Sequence, residues 1–428
     1  MSTSPDHATA VDPELSTRLP ELREQYAALQ ARDLSLDLTR GKPSAEQLDL
    51  SEPLLSLPGE GNHTAASGTD VRNYGGLDGL PELREIFAEL LGVPVRQLLA
   101  QDNASLRLMY DCLVQAVLFG VPGGDGPWSA EESVTFVCPV PGYDRHFAIC
   151  EELGIRMVTV PMTPDGPDVE AVAALVADDP SVKGLWCVPT YANPDGSVVS
   201  EDVARRLVSM PAAAPDFRIF WDNAYAVHHL TEHETKTANA IELAAEAGNP
   251  DRVLMFASTS KVTFAGAGVS FLASSPANID WFTEHLAFRS IGPDKVNQLR
   301  HAQFFGDAAG VRAHMARHRE ILAPKFSAVT SILTERLGDA GVATWTDPDG
   351  GYFVSVDVAP GLASRVVELA GEAGIKLTPA GATFPYGKDP QDRNIRLAPS
   401  MPPLAEVEVA MDGVATCILL AAAEAAAA

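Results

Sequence analysis

The chain has 428 residues, enough for two domains, and its 46% hydrophobic content supports a sizeable core. It carries 31 basic and 57 acidic residues, a net charge of −26 at pH 7, which argues against nucleic acid or an anionic membrane as partner. Five scattered cysteines (Cys112, Cys138, Cys150, Cys187, Cys417) show no CxxC or Cys/His spacing, so no metal site is expected and the pattern suits a reducing cytosol.

The stretch Met1–Pro13 is polar, without a basic and then apolar leader, so no signal peptide is expected. No run is read as approaching the length of a membrane span, and the alanine-rich tail Ala421–Ala428 is read as a fraying helix end. These features predict a cytoplasmic protein.

Asp12–Ala31 reads as an amphipathic helix, with Leu15, Leu19, Leu22, Tyr26 and Leu29 at helical spacing. Leu36-Asp37-Leu38-Thr39-Arg40-Gly41-Lys42-Pro43 is a short strand running into a Gly/Pro turn, and 44–70 is loop-rich. Asn73–Pro81, with Tyr74 inside it, is a tight turn feeding a helix over Glu82–Leu91; Pro81 suits a first turn. Asp102–Gly120 opens with small polar residues and becomes an apolar-periodic helix. Its start suits an ordinary cap by Asn103 or Ser105, the commoner case, or a phosphate site at exposed backbone N–H groups.

Strand and helix patterns then alternate. Strands are expected over Ser133–Val140, Gly154–Val160, Val182–Val188, Phe217–Trp221 and Val253–Ala257. Helices are expected over Tyr143–Leu153, Val169–Asp178 and Val203–Met210. Such alternation predicts a mainly parallel sheet wrapped by helices, with ligands beyond the carboxyl ends of the strands. Trp281–Leu337 is mostly helical. Gly350–Val356, Ile375–Leu377 and Asn394–Ala398 are short strands of a second α/β layer, which the strand at Leu36 is expected to join.

Three strand ends carry distinct polar residues: Asn193 in Asn-Pro-Asp-Gly, Asp222 and Tyr225 in Asp-Asn-Ala-Tyr, and Ser258 and Lys261 in Ser-Thr-Ser-Lys. A carboxylate at the end of a buried strand must be paired to stay charged. A lysine held away from bulk water can act as a free-amine nucleophile. In order along nearly the whole chain, these motifs resemble the fold-type I pyridoxal-phosphate (PLP) aminotransferases. The bacterial aspartate aminotransferase subgroup is the most similar, on Leu38–Pro43 and Gly292–Gln298.

That resemblance implies a large domain with a mainly parallel seven-stranded sheet and a smaller α/β domain. The expected division is an arm and part of the small domain over 1–50, a PLP-binding domain over 51–300, and a small domain over 301–428. It implies transamination of L-aspartate with 2-oxoglutarate, giving oxaloacetate and L-glutamate, ping-pong through pyridoxamine phosphate. Lys261 would be the Schiff-base lysine and proton shuttle, and Asp222 the partner of the pyridine nitrogen. Asn193 and Tyr225 would hold the ring hydroxyl, and Tyr143 would lie on the ring face. Ser105, the Leu106 N–H and Ser258 would hold the phosphate, with Tyr74 reaching the phosphate of a partner subunit in a homodimer with shared sites. Arg396 would bind the substrate α-carboxylate beside Gly41 and Asn193.

The family's arginine about eight residues after the lysine is missing here; Ala265–Ser270 holds no basic residue, so Ser260, Ser270, backbone groups or another cation would take its place. The cation for the distal carboxylate stays open among Arg40, Lys42, Arg289 and Lys295. Alternatives are an aminotransferase of aromatic, alanine or 2-aminoadipate type, a lyase using the same lysine, and a PLP-binding transcription regulator. The 35 residues before Leu36 are too few for a DNA-binding module.

Overall fold

The computed structural model describes residues 13–428; Met1 to Asp12, the first residue of the expected amino-terminal helix among them, lie outside the described residues. That helix divides. Pro13–Arg18 is a 3₁₀ turn and Leu19–Gln30 the α-helix, because Pro20 suits only a first turn. Leu15, Leu22, Tyr26 and Leu29 are buried as the spacing predicts.

Thirteen strands form among the described residues: β1 (Leu36–Asp37), β2 (Leu98–Gln101), β3 (Thr135–Val140), β4 (Arg156–Thr163), β5 (Gly166–Pro167), β6 (Val182–Cys187), β7 (Arg218–Asp222), β8 (Val253–Ser258), β9 (Ser270–Ala273), β10 (Ala343–Trp345), β11 (Val354–Val358), β12 (Ile375–Lys376) and β13 (Asn394–Leu397). The large sheet has the order β2-β9-β8-β7-β6-β3-β4-β5, one strand more than the seven expected. The extra one is the two-residue edge strand β5, paired antiparallel with β4. β4, β3, β6, β7 and β8 are mutually parallel, and β9 runs antiparallel to both its neighbours.

Helices cover both faces of this sheet, which is why β6 and β7 read as unbroken buried runs. Side chains along β7 and β8 alternate between the two cores. Ile219, Trp221, Val253, Met255 and Ala257 join the layer that includes the helices Pro81–Leu91 and Val169–Val176. Phe220, Leu254 and Phe256 join the layer of the helices Ser105–Phe119 and Pro276–Arg289.

A third core holds the antiparallel sheet β10-β11-β13 and the parallel pair β1-β12, so the strand at Leu36 joins the second layer as expected. The helix Ala308–Leu337 links the cores: Val311 and Met315 pack beneath the large sheet, Leu322 to Leu337 against the small ones.

Two expectations about the carboxyl terminus fail. The alanine-rich tail belongs to a helix over Leu404–Ala427, and Ala421, Ala422 and Ala423 are core residues rather than a frayed end. This helix is also long and apolar enough to cross a membrane by length and composition, but 72% of its apolar window is buried inside the protein. Its hydrophobicity serves packing: each buried leucine or isoleucine contributes about 1.5–3 kcal/mol.

Candidate active site

Parallel pairing in register (Cys187↔Trp221, Asp222↔Phe256) brings the carboxyl ends of β6, β7 and β8 to one edge. Asp222 closes β7 and is almost fully buried. Its Oδ2 lies 3.0 Å from Nε2 of His146, whose ring stacks on Trp186 at 4.2 Å. Asp222 Oδ1 is buried without a partner. A carboxylate oxygen held dry and unpaired is a vacant acceptor for an N–H donor.

Tyr143 packs edge-on against His146 at 4.9 Å, and burial pushes its phenol up to about 12. Tyr225 is buried within the turn that follows Asp222, with the Lys261 ammonium 4.9 Å from its ring centre. Burial, then the nearby Asp222 charge, pushes the Tyr225 phenol up as well. Both phenols therefore stay protonated donors near neutral pH.

Lys261 follows β8 on a tight turn closed by Val262 N–H and Thr263 N–H donating to the Thr259 carbonyl. A buried polar network supports it from behind. Tyr352 donates to the Lys261 carbonyl at 3.4 Å, and Gln47 Nε2 reaches Tyr352 Oη at 2.8 Å and His318 Nδ1 at 2.9 Å. His314 Nε2 lies 2.7 Å from the Val262 carbonyl and 3.1 Å from His318 Nε2. Burial keeps these imidazoles neutral, pushing His318 down to about 3.

The helix Ser105–Phe119 starts without a side-chain cap, on Ala104, contrary to the expected cap by Asn103 or Ser105. Its first N–H groups, those of Ser105 and Leu106, stay available at the positive end of the helix dipole. Ser258 Oγ donates to Ser260 Oγ at 3.2 Å, and Ser260 Oγ to the Asn103 carbonyl at 3.2 Å. Ser105, Leu106, Ser258 and Ser260 thus belong to two segments held together as one cup. Ser270 does not join it: its hydroxyl donates to the Gln101 carbonyl at 2.6 Å, inside the sheet.

Arg396 on β13 is 6% exposed, a buried guanidinium as its apolar strand predicts. Its Nη1 donates to Asp144 Oδ1 at 2.7 Å and to Asn193 Oδ1 at 3.3 Å, while Nε is buried and unpartnered. The guanidinium lies 5.1 Å over the Phe353 ring, and Gly41 packs on the same ring; a Cβ there would fall 2.6 Å from Phe353 Cζ.

Tyr74 stands apart, 80% exposed on its turn. Arg289 is ion-paired with Asp102 and Asp111, and Lys295 donates to the Gly75 carbonyl at 2.6 Å. Arg40 and Lys42 are exposed on either side of Gly41. Sequence reasoning missed His146, Asp144, Gln47 and Tyr352. The signal for His146 was its place on the buried face of its helix with Phe147, Ile149 and Cys150; its partner, 76 residues away, gave none.

A doubly wound sheet with lysine and aspartate at adjacent strand ends, closed by a second α/β layer, is the fold-type I aminotransferase architecture. The aspartate amino-transferase family profile matches residues 11–428. The chain is 61% identical over 408 residues to a provisionally named aminotransferase of Mycolicibacterium smegmatis, covering 95% of each. It is 57% identical over 404 residues to an aspartate aminotransferase of Corynebacterium glutamicum, covering 94% of this chain and 93% of that one. A crystal structure of an aspartate transaminase from C. glutamicum superposes with a TM-score of 0.95 at 56% identity, covering 96% of this chain and 97% of that one. The chain belongs to the aspartate amino-transferase family and is an aminotransferase. Membership implies PLP as cofactor, and the vacant acceptor on Asp222, the uncapped helix start and Lys261 suit its ring nitrogen, phosphate and aldehyde.

Proposed function

We propose that the protein is a cytoplasmic homodimer that transfers the amino group of L-aspartate to 2-oxoglutarate by a ping-pong route. The carrying observation is the buried Arg396, with an unpartnered Nε, set beside Asn193 at the edge that also bears Lys261 and Asp222. The high identity to the C. glutamicum enzyme supports aspartate as donor.

When bound, PLP supplies an electron sink that acidifies the amino-acid Cα–H. Lys261 would anchor the cofactor through its amine and, once released, carry the proton from the substrate Cα. His146 would fix Asp222 by one oxygen and leave the other for the ring N–H. Tyr225, kept protonated by burial, would donate to the ring hydroxyl oxygen together with the Asn193 amide, and Tyr143 would face the ring. The Ser105 and Leu106 N–H groups with the Ser258 and Ser260 hydroxyls would hold the phosphate. Arg396 would grip the α-carboxylate through a two-point fork, with Gly41 allowing close backbone approach.

The homodimer reading is supported by exposed apolar side chains. Tyr74, Phe288 and Ile291 are 80%, 91% and 63% exposed, and the Gly292 backbone approaches Gly75. Tyr74 would reach across to the partner's phosphate. We also propose the division into an arm over 1–50, a cofactor domain over 51–300 and a small domain over 301–428. The test is the kcat/KM of the PLP-loaded enzyme for aspartate, glutamate, alanine, phenylalanine and 2-aminoadipate. Aspartate and glutamate should lead by at least about tenfold; a faster aromatic or aminoadipate donor would overturn the substrate assignment.

A further inference from the structure

The Arg396 guanidinium already holds a carboxylate. Asp144 is the first residue of the helix Asp144–Glu152, on the large-sheet side, whereas Arg396 lies on β13 of the small sheet. Their 2.7 Å contact therefore bridges two cores. It is one-pronged: Nη1 serves both Asp144 and Asn193, and Nε is left buried without a partner. A carboxylate arriving end-on would take both Nη1 and Nη2, two hydrogen bonds where Asp144 makes one, and because Nη1 already serves Asp144 and Asn193 it would bind in place of Asp144 rather than beside it. Asp144 has somewhere to go: its side chain is 37% exposed, and a position in the first helical turn favours its charge even when it is unpaired.

We propose that Asp144 is a built-in competitor for the substrate α-carboxylate, occupying Arg396 in the empty enzyme and displaced as the amino acid binds. This rests on the reading of Arg396 as the carboxylate site. While the pair is closed, the guanidinium keeps its orientation beside Asn193 and over Phe353. The apparent affinity for every carboxylate ligand is then lowered by the fraction of molecules in which Arg396 is free. The factor is the same for every ligand that uses Arg396, so the device sets absolute affinity and leaves the ratio between dicarboxylates and simple amino acids unchanged.

The test is calorimetric titration of succinate, a four-carbon dicarboxylate with no group to react, into the PLP-loaded enzyme, Asp144→Asn, Asp144→Ser and Arg396→Ala. Both Asp144 variants should bind succinate roughly three- to tenfold more tightly than the parent. Their KM for aspartate and glutamate should fall to match, with kcat held within about twofold. Unchanged or weaker succinate binding in both variants, with melting temperature and cofactor content preserved, overturns the proposal. A fall in kcat with no fall in KM also overturns it, because it marks Asp144 as support for the helix start. Arg396→Ala separates the two readings: binding at parental strength in that variant would remove Arg396 from the carboxylate site, whatever the Asp144 variants do.

Discussion

Lys261 and Asp222 occupy neighbouring strand ends, and each answers a different replacement. On the proposed roles, Lys261→Ala would remove both the anchoring amine and the proton carrier, so transamination should fall by at least about 10³-fold, read in a coupled oxaloacetate assay; full activity would refute the assignment. Gly41→Ala would drive a methyl into the Phe353 ring that underlies Arg396. The KM for both donors should rise several-fold with kcat less affected, and an unchanged KM would separate Gly41 from the carboxylate site. Lys261 and Asp222 stand out in the sequence because each is a charged residue at or just past the end of an apolar run, whereas Gly41 is singled out only by the family resemblance. His146 and Asp144 were not: a lone histidine in a helix reads as core, and an aspartate at a helix start reads as a favourable dipole partner.

Elements were legible where an apolar run or an apolar–polar alternation marked them. β3, β6, β7 and β8 are buried along all or nearly all of their length because helices cover both faces of the sheet. β2 and β9 have four residues each and show no apolar–polar alternation, whereas β1, β12 and β13, which are no longer, lie in alternating stretches such as Leu36-Asp37-Leu38, Ile375-Lys376-Leu377 and Ile395-Arg396-Leu397. The helix Leu404–Ala427 was misread because alanine carries little amphipathic signal, although its burial is set by the cores around it. Within β6, Gly184 is fitted to its neighbour: a Cβ there would sit 2.2 Å from the buried Phe136 ring. Gly184→Ala should therefore cost about 1–3 kcal/mol by overpacking, measured by denaturant unfolding. A cost near zero would mean that the Phe136 ring relaxes freely.

Across the whole molecule, the link from Lys261 through Tyr352 and Gln47 to His318 ties the amino-terminal segment, the long helix and the segment leading into β11 to the Lys261 turn. No sequence pattern predicts it, since Gln47 lies 305 residues from Tyr352 and 271 from His318. Its cost appears in acid. His318 titrates at about 3 in the folded protein because burial disfavours its cation, so the unfolded chain binds the proton first. Its contribution to stability is present above pH 6.5 and is lost as the pH falls towards 3. His318→Gln should be less stable than the parent at pH 7.5. That deficit should narrow by about 1.4 kcal/mol per pH unit below about 6.5; a deficit constant from pH 7.5 to 5 would mean that His318 is not buried neutral.

One absorbance experiment with the purified, PLP-loaded protein tests both the Lys261 assignment and the donor. Aspartate alone should bleach the band at the visible edge, and 2-oxoglutarate added afterwards should restore it, because one amino group has been stored and then handed on. A band that ignores aspartate but yields to another amino acid would contradict the substrate assignment. No band at all, with PLP in excess, would contradict the placing of Lys261 at the centre of the site.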